Sequence, residues 1–184
     1  LFLSEKLIQY RIGYDYTNIW KFIKPYFPVN NLFLYPWANF DGVHYLTIAG
    51  NGYTNNFQFF PLYPLIIRIV SFLFKESQTF GSTQFFIAFF ISNIFFLSSI
   101  FVFYKLIKLD YSDKIAQVSA VFLLLFPTSF YFGSIYSESL FLLLSLSCFY
   151  FMRKKQWLIA GILGALLTLT RLVGIFILIP LIME

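Results

Sequence analysis

Apolar residues dominate the second half of the chain and form five runs separated by short polar connections. The first run is uncharged and, as a helix, is long enough to cross about 30 Å of hydrocarbon. The third and fourth runs are short, so tilt or local thinning of a bilayer is expected there. We predict membrane helices over residues 84–104, 115–131 with a kink near Pro127, 139–152 and 156–170, and the start of a fifth over 172–183.

The first part of the chain is more polar and contains most of the turn residues. The pattern predicts two regions, a loop region over 1–83 and a membrane region over 84–184. Residues 4–23 are typical of one or two short amphipathic helices, and Pro25 and Pro28 then interrupt regular structure.

A short apolar helix is predicted from about Phe59 to Phe74. It is too short to span a bilayer and carries Arg68, which favours an interfacial or re-entrant position. Residues 1–3 resemble the end of a preceding membrane helix. We therefore expect the sequence to be part of a longer protein.

The composition indicates an integral membrane protein. Of 184 residues, 59% are hydrophobic and 11% are charged, whereas soluble domains carry about 25% charged residues. The net charge of +5 does not indicate nucleic-acid binding, because the basic residues are scattered beside apolar runs. Cys148 lies in an apolar run as the single cysteine, so a packing role is expected.

Basic residues predict the orientation of the spans. Lys105, Lys108 and Lys114 flank one connection, and residues 153–155 form another, two crossings later. The positive-inside rule makes this side cytoplasmic. The non-cytoplasmic side then carries the ionisable residues Asp41, His44, Arg68, Glu138 and Arg171.

The segment 35–45 is the longest aromatic-rich polar stretch. Asp41 precedes a glycine, and such a pair predicts a turn that presents the carboxylate among Trp37, Phe40 and Tyr45. A site for a hydroxylated substrate needs a carboxylate, an imidazole and aromatic faces together; the alternative is an aspartate that only caps the helix starting near Gly42. His44 has no partners at ligand spacing, so no metal site is predicted, and packing among aromatic rings is its alternative role.

Ionisable residues at membrane depth indicate function by default. Glu138 stands at a predicted helix start, where a carboxylate is also favoured by the helix dipole. Arg171 stands at the end of a span, where an arginine can also extend to the interface or pair with a helix C-terminus. For Arg68, an interfacial contact on an amphipathic helix is favoured.

Five sequence elements occur in order: 40–53 (FDGVHYLTIAGNGY), 59–65 (FFPLYPL), 126–129 (FPTS), 136–141 (YSESLF) and 170–174 (TRLVG). Together they resemble those of the PIG-V family, which contains the second mannosyltransferase of GPI-anchor assembly and its prokaryotic relatives. The resemblance covers about residues 36–175. Phe40 is a departure, since the family usually has tryptophan before the aspartate.

This resemblance implies an all-α fold of the GT-C type, a polytopic membrane helix bundle with a large first outer loop. Such enzymes take a sugar from a polyprenyl-phosphate carrier, such as dolichyl-phosphate mannose, and pass it with inversion to a hydroxyl of a glycan, glycolipid or protein. Their usual base is an acidic residue in the first loop, and Asp41 matches that position. No cofactor is implied.

The chemistry of each residue type suits this reaction. A positioned carboxylate that takes the acceptor proton contributes about 10²–10⁴-fold in rate. Arginine stabilises a phosphate leaving group, and aromatic rings stack on sugars. We expect Asp41 to be catalytic and the substrate-binding set to be Trp37, His44, Tyr45, Tyr53, Arg68, Tyr136, Glu138 and Arg171.

Two alternatives belong to other classes. A transporter or lipid flippase would also place Glu138 and Arg171 at membrane depth, although no inverted repeat is visible. A noncatalytic assembly subunit would use the outer loop to bind a partner. An enzyme of this kind is expected in the endoplasmic reticulum of a eukaryote or the plasma membrane of a prokaryote.

Overall fold

The computed structural model describes residues 35–54, 56–74 and 82–183. Within these ranges every regular element is a helix, which confirms the all-α prediction. Two 3-10 helices, Tyr35–Ala38 and Leu172–Ile177, accompany the α-helices. The α-helices are α1 (Asp41–Asn51), α2 (Leu62–Leu73), α3 (Ser82–Ile107), α4 (Asp113–Leu125), α5 (Phe130–Gly133), α6 (Glu138–Arg153), α7 (Trp157–Thr168) and α8 (Leu178–Met183).

Some predictions fall on other parts of the chain. The amphipathic helices expected over 4–23, the breaks at Pro25 and Pro28, and the helix end expected over 1–3 lie outside the described residues. The helix predicted from about Phe59 to Phe74 is present as α2, with slightly narrower bounds.

Helix α3 contains the long apolar segment predicted over 84–104. Residues 83–107 form 25 helical residues with a mean hydropathy of 2.3. By length and composition, this is the one helix in the described ranges that could cross a membrane. The shorter apolar helical segments are Leu62–Leu73, Trp157–Thr168 and Leu172–Met183.

The second predicted span is shorter than expected. Helix α4 ends at Leu125 rather than at residue 131. Phe126 adopts an extended conformation, because the residue before a proline is disfavoured in the α region. Pro127 therefore ends the helix instead of bending it, and the 13 residues of α4 extend only about 20 Å.

Helix α6 is the central element of the bundle and packs against both α3 and α7. Small residues allow the close approach to α7, where the buried Cys148 thiol lies 3.2 Å from the Ala160 carbonyl oxygen. Cys148 thus has the packing role expected from its position. Helices α2 and α4 also pack against α3.

Polar side chains on α3, the buried Ser92 and the half-buried Asn93, attach the loop elements to the bundle. Ser92 forms a 2.5 Å hydrogen bond with Tyr63 of α2, and Asn93 donates to the Gly133 carbonyl of α5 at 3.1 Å. The Leu62 amide donates to the Leu169 carbonyl at 3.0 Å. The contacts of Tyr63 and Leu62 bring α2 to the end of the bundle where α7 ends.

Candidate active site

Asp41 is the first residue of α1, and Phe40 occupies the cap position before it. Phe40 has φ 55° and ψ −117°, a left-handed conformation that strains any residue with a side chain. No side-chain hydrogen bond caps the helix. The capping role that was an alternative for Asp41 therefore finds no support, since its carboxylate lies one position too late.

The start of α1 packs closely against the segment that leads into α6. The Ile135 amide donates to the Trp37 carbonyl at 2.7 Å. A Cβ atom at Gly42 would lie 3.2 Å from the Ile135 carbonyl oxygen, so a larger residue would require the two backbones to separate by a few tenths of an ångström. The Tyr136 hydroxyl donates to the Asn39 carbonyl at 3.0 Å. Three backbone and side-chain contacts thus set the position of Asp41 relative to α6.

Glu138 and Arg171 form an ion pair at the first turn of α6. Arg171 Nη2 lies 2.6 Å from Glu138 Oε1, and the two side chains are 36% and 23% exposed. The second carboxylate oxygen, Oε2, is buried and has no hydrogen-bond partner among the described residues. Arg171 itself has an extended backbone before the 3-10 helix Leu172–Ile177.

Gly174 allows the chain to turn back after Arg171. A Cβ atom there would lie 2.6 Å from the Leu167 carbonyl oxygen, which no side chain permits. The 3-10 helix that carries Gly174 consequently packs against the end of α7. This close approach holds the Arg171 backbone near the start of α6.

Ser137 joins the ion pair to α1, although it was absent from the sequence-based candidates. Its hydroxyl oxygen lies 2.8 Å from the Tyr45 hydroxyl and accepts a hydrogen bond from Arg171 Nε at 3.2 Å. The signal that could have identified Ser137 is its place between two candidates, Tyr136 and Glu138. Its two partners are distant in sequence, so spacing alone does not reveal the contacts.

The charges of this cluster act on its tyrosines. Burial is the main reason that the pKa of Tyr45 is raised to about 12, so its hydroxyl remains protonated at neutral pH. Burial also raises the pKa of Tyr136, and the negative charges of Asp41 and Glu138 raise it further.

The other candidate residues make their hydrogen bonds and ring contacts outside this cluster. Trp37 packs edge-on to Phe89 and supplies its carbonyl to Ile135. His44 stacks on Phe59 at 4.7 Å, in agreement with the aromatic packing role that was its alternative.

Tyr53 and Arg68 lie further along the surface. The Tyr53 hydroxyl donates to the Phe59 carbonyl at 2.8 Å, and its ring stacks on Phe57. Arg68 is exposed on α2, with its guanidinium near Gly52. The described ranges contain no group of three or more His, Cys, Asp or Glu side chains that could hold a metal ion.

Comparison with known proteins agrees with the resemblance seen in the sequence elements. The sequence profile of the Mannosyltransferase (PIG-V) family matches residues 21–179. A GPI mannosyltransferase 2 from Schizosaccharomyces pombe is 29% identical over 143 residues, which cover 76% of this chain and 30% of that protein. One from Drosophila pseudoobscura pseudoobscura is 31% identical over 118 residues, covering 59% and 25%.

The chain therefore spans less than a third of the length of these curated relatives. No solved structure matches it significantly.

Proposed function

The chain belongs to the PIG-V family of mannosyltransferases, and we propose that it carries the catalytic loop of a multi-pass membrane glycosyltransferase of the GT-C type. The enzyme transfers mannose from a polyprenyl-phosphate carrier to a hydroxyl group of a glycan, glycolipid or protein acceptor. The observation that supports this most directly is that α1, which begins at Asp41, is joined through the Tyr45 and Ser137 hydroxyls to the Glu138–Arg171 pair, where three separate elements meet.

Asp41 is the general base of this reaction. Its side chain is partly buried in the first turn of α1 and makes no ion pair with a described residue, so it is available to a substrate. The carboxylate takes the proton of the acceptor hydroxyl while that oxygen attacks the anomeric carbon from the face opposite the carrier. The bond from that carbon to the carrier phosphate breaks with inversion, and the phosphate leaves as an anion.

The arginines have different parts in this proposal. Arg171 is already paired with Glu138, so its positive charge is partly neutralised and its free N–H groups suit a substrate hydroxyl or one phosphate oxygen. Arg68 is exposed near Gly52, at the end of α1 opposite Asp41. Arg171 is therefore the nearer cation for the leaving phosphate, and Arg68 suits an anionic group at the edge of the site. A sugar hydroxyl would also satisfy the buried acceptor Glu138 Oε2.

Tyrosines near Asp41 contribute their hydroxyl groups. Tyr45 is only 3% exposed, so its ring offers no face to a sugar and it acts through Ser137. Tyr136 is held beside Asn39 and borders the acceptor site. Trp37, His44 and Tyr53 contact the substrate only at the edge of the site.

The site faces the non-cytoplasmic side of the membrane in this proposal. Lys105, Lys108 and Lys114 lie around the connection between α3 and α4, and the Arg153–Asp110 pair brings the basic run 153–155 to the same end of the bundle. The positive-inside rule makes that end cytoplasmic. Cysteine labelling of intact cells should modify a cysteine at position 41 and spare one at position 154. Labelling of position 41 only after permeabilisation would overturn this orientation.

Asp41→Asn in the full-length protein tests the function. The amide keeps the size of the side chain but cannot take a proton, so mannose transfer from a radiolabelled polyprenyl-phosphate donor should fall by at least about 10²-fold. Asp110→Asn, an exposed aspartate at the opposite end of the bundle, is the matched control and should transfer at the wild-type rate.

Three other results would contradict the proposal in distinct ways. Near wild-type transfer by Asp41→Asn would remove Asp41 from the catalytic role. Movement of the lipid carrier across vesicles without any transfer would indicate a transporter. An assembly subunit would show neither activity in purified form.

A further inference from the structure

We propose that Ser137 is a positioning residue for the transfer reaction. Its hydroxyl fixes the orientation of the Arg171 guanidinium. It also connects Arg171 to helix α1, which begins at Asp41. The inference rests on the proposed function, because the reaction supplies one of its two readouts.

Ser137 has the contacts of a connecting residue. Its side chain is fully buried, and its hydroxyl bonds to two elements that are far away in sequence. Arg171 Nε, 34 residues later, can only donate, so the serine oxygen accepts that bond at 3.2 Å. The bond to the Tyr45 hydroxyl, 92 residues earlier, is 2.8 Å long.

The bond at Nε determines the orientation of the guanidinium. With the Glu138 contact alone, a single hydrogen bond at Nη2, the planar group could rotate about that contact. A second bond on the same edge, at Nε, removes this rotation. The opposite edge, with Nη1, makes no hydrogen bond to a described residue, so its direction is set by Ser137 and Glu138 together.

Tyr45 makes the other end of the connection rigid. Its ring lies edge-on to Phe59 at 5.1 Å and to Tyr63 at 5.0 Å. Tyr45 follows Asp41 by four residues on α1, and residues at this spacing share one face of a helix. The hydrogen-bonded chain Tyr45–Ser137–Arg171 therefore holds the Asp41 carboxylate and the Arg171 guanidinium at a fixed distance and orientation relative to each other.

Ser137→Ala in the full-length protein tests the inference, with Ser139→Ala as the matched control. Ser139 is also fully buried near the start of α6, but its hydroxyl has no hydrogen-bond partner among the described residues. Ser137→Ala should lower kcat per folded molecule by about 10-fold with a smaller change in KM, because misplacement costs rate. Ser139→Ala should leave both constants within about 2-fold of wild type.

Two further variants separate positioning from simple stability. Tyr45→Phe should lower kcat, and the double variant with Ser137→Ala should fall no further than the lower single variant, since both remove one connection. Ser137→Thr keeps a hydroxyl and should recover part of the lost kcat. Multiplicative losses in the double variant, or equal kcat for Ser137→Ala and Ser139→Ala, would overturn the inference.

The second readout does not depend on transfer. Phenylglyoxal modifies arginine, and mass spectrometry of the peptide that contains Arg171 measures how fast. Modification should be faster in Ser137→Ala than in Ser139→Ala or wild type, and equal rates would contradict the inference. If wild-type protein transferred no mannose, the proposed function would fail, while this measurement would still decide whether Ser137 holds the guanidinium.

Discussion

The two ends of α6 each carry an ion pair, and the pairs are built differently. At the C-terminal end, Arg153 makes two hydrogen bonds to Asp110, of 2.6 and 2.8 Å, and the two side chains are 43% and 42% exposed. At the N-terminal end, Arg171 makes one bond to Glu138, and both groups are more buried. The more exposed pair, Arg153–Asp110, therefore has the better hydrogen-bond geometry.

This difference indicates what each end is for. An exposed pair contributes little to stability even when it is bidentate, because water screens it. A more buried pair gains from full hydrogen bonding, yet Glu138 Oε2 has no partner among the described residues. A contact selected for stability alone would have the opposite arrangement. The N-terminal end instead leaves one carboxylate oxygen for a further donor, which the proposed function assigns to a substrate hydroxyl.

Among the variants that test the difference between the two ends of α6, Arg171→Gln should have the largest effect. It leaves the Glu138 carboxylate partly buried without its cation, which should cost about 1–2 kcal/mol in unfolding free energy after allowance for partial exposure. Mannose transfer should fall by at least about 10-fold. Thermal unfolding in detergent and the transfer assay measure these effects; no change in either would mean that the two ends of α6 are equivalent.

Gly42→Ala should have an intermediate effect. The new methyl group would lie 3.2 Å from the Ile135 carbonyl oxygen and push α1 away from the segment before α6. A loss of about 1 kcal/mol in unfolding free energy is expected, with reduced transfer, since overpacked sites cost this much.

Gly161→Ala is the control for a helical glycine. A Cβ atom at Gly161 would meet no atom within 4 Å, so alanine should stabilise α7 by about 0.5–1 kcal/mol. If Gly42→Ala were as well tolerated as Gly161→Ala, the close approach of α1 to Ile135 would be absent in solution.

Arg153→Gln should have the smallest effect. Hydrogen bonds from Arg153 are the main reason that the pKa of Asp110 lies below its ordinary value. The pair therefore contributes stability above the unfolded pKa of an aspartate, and this contribution is lost as the pH falls through the lower folded value. Because Asp110 is exposed, melting temperatures at pH 7 and pH 3 should differ between wild type and variant by little more than the measurement error. A large difference at pH 7 would contradict the comparison.

Local patterns in the sequence predicted much of this protein. The apolar runs determined the all-helical character and the long helix α3, because burial and backbone hydrogen bonding depend on residue type and period. The aspartate before Gly42 and the ordered elements around Glu138 and Arg171 identified the family and three members of the candidate site. Pro127 was predicted to bend the second span, because the run of apolar residues continues past it. The helix instead ends at Leu125, before the proline.

The tertiary structure decided which candidates meet. Asp41, Tyr45, Tyr136, Glu138 and Arg171 gather at one end of the bundle, whereas the other candidates lie around it. It also added Ser137, whose partners are 92 residues before it and 34 after it. No periodicity in the sequence encodes such contacts. They arise because Gly42 and Gly174 allow backbones to approach closely, and this approach exists only once α1, α6 and the end of α7 are packed together.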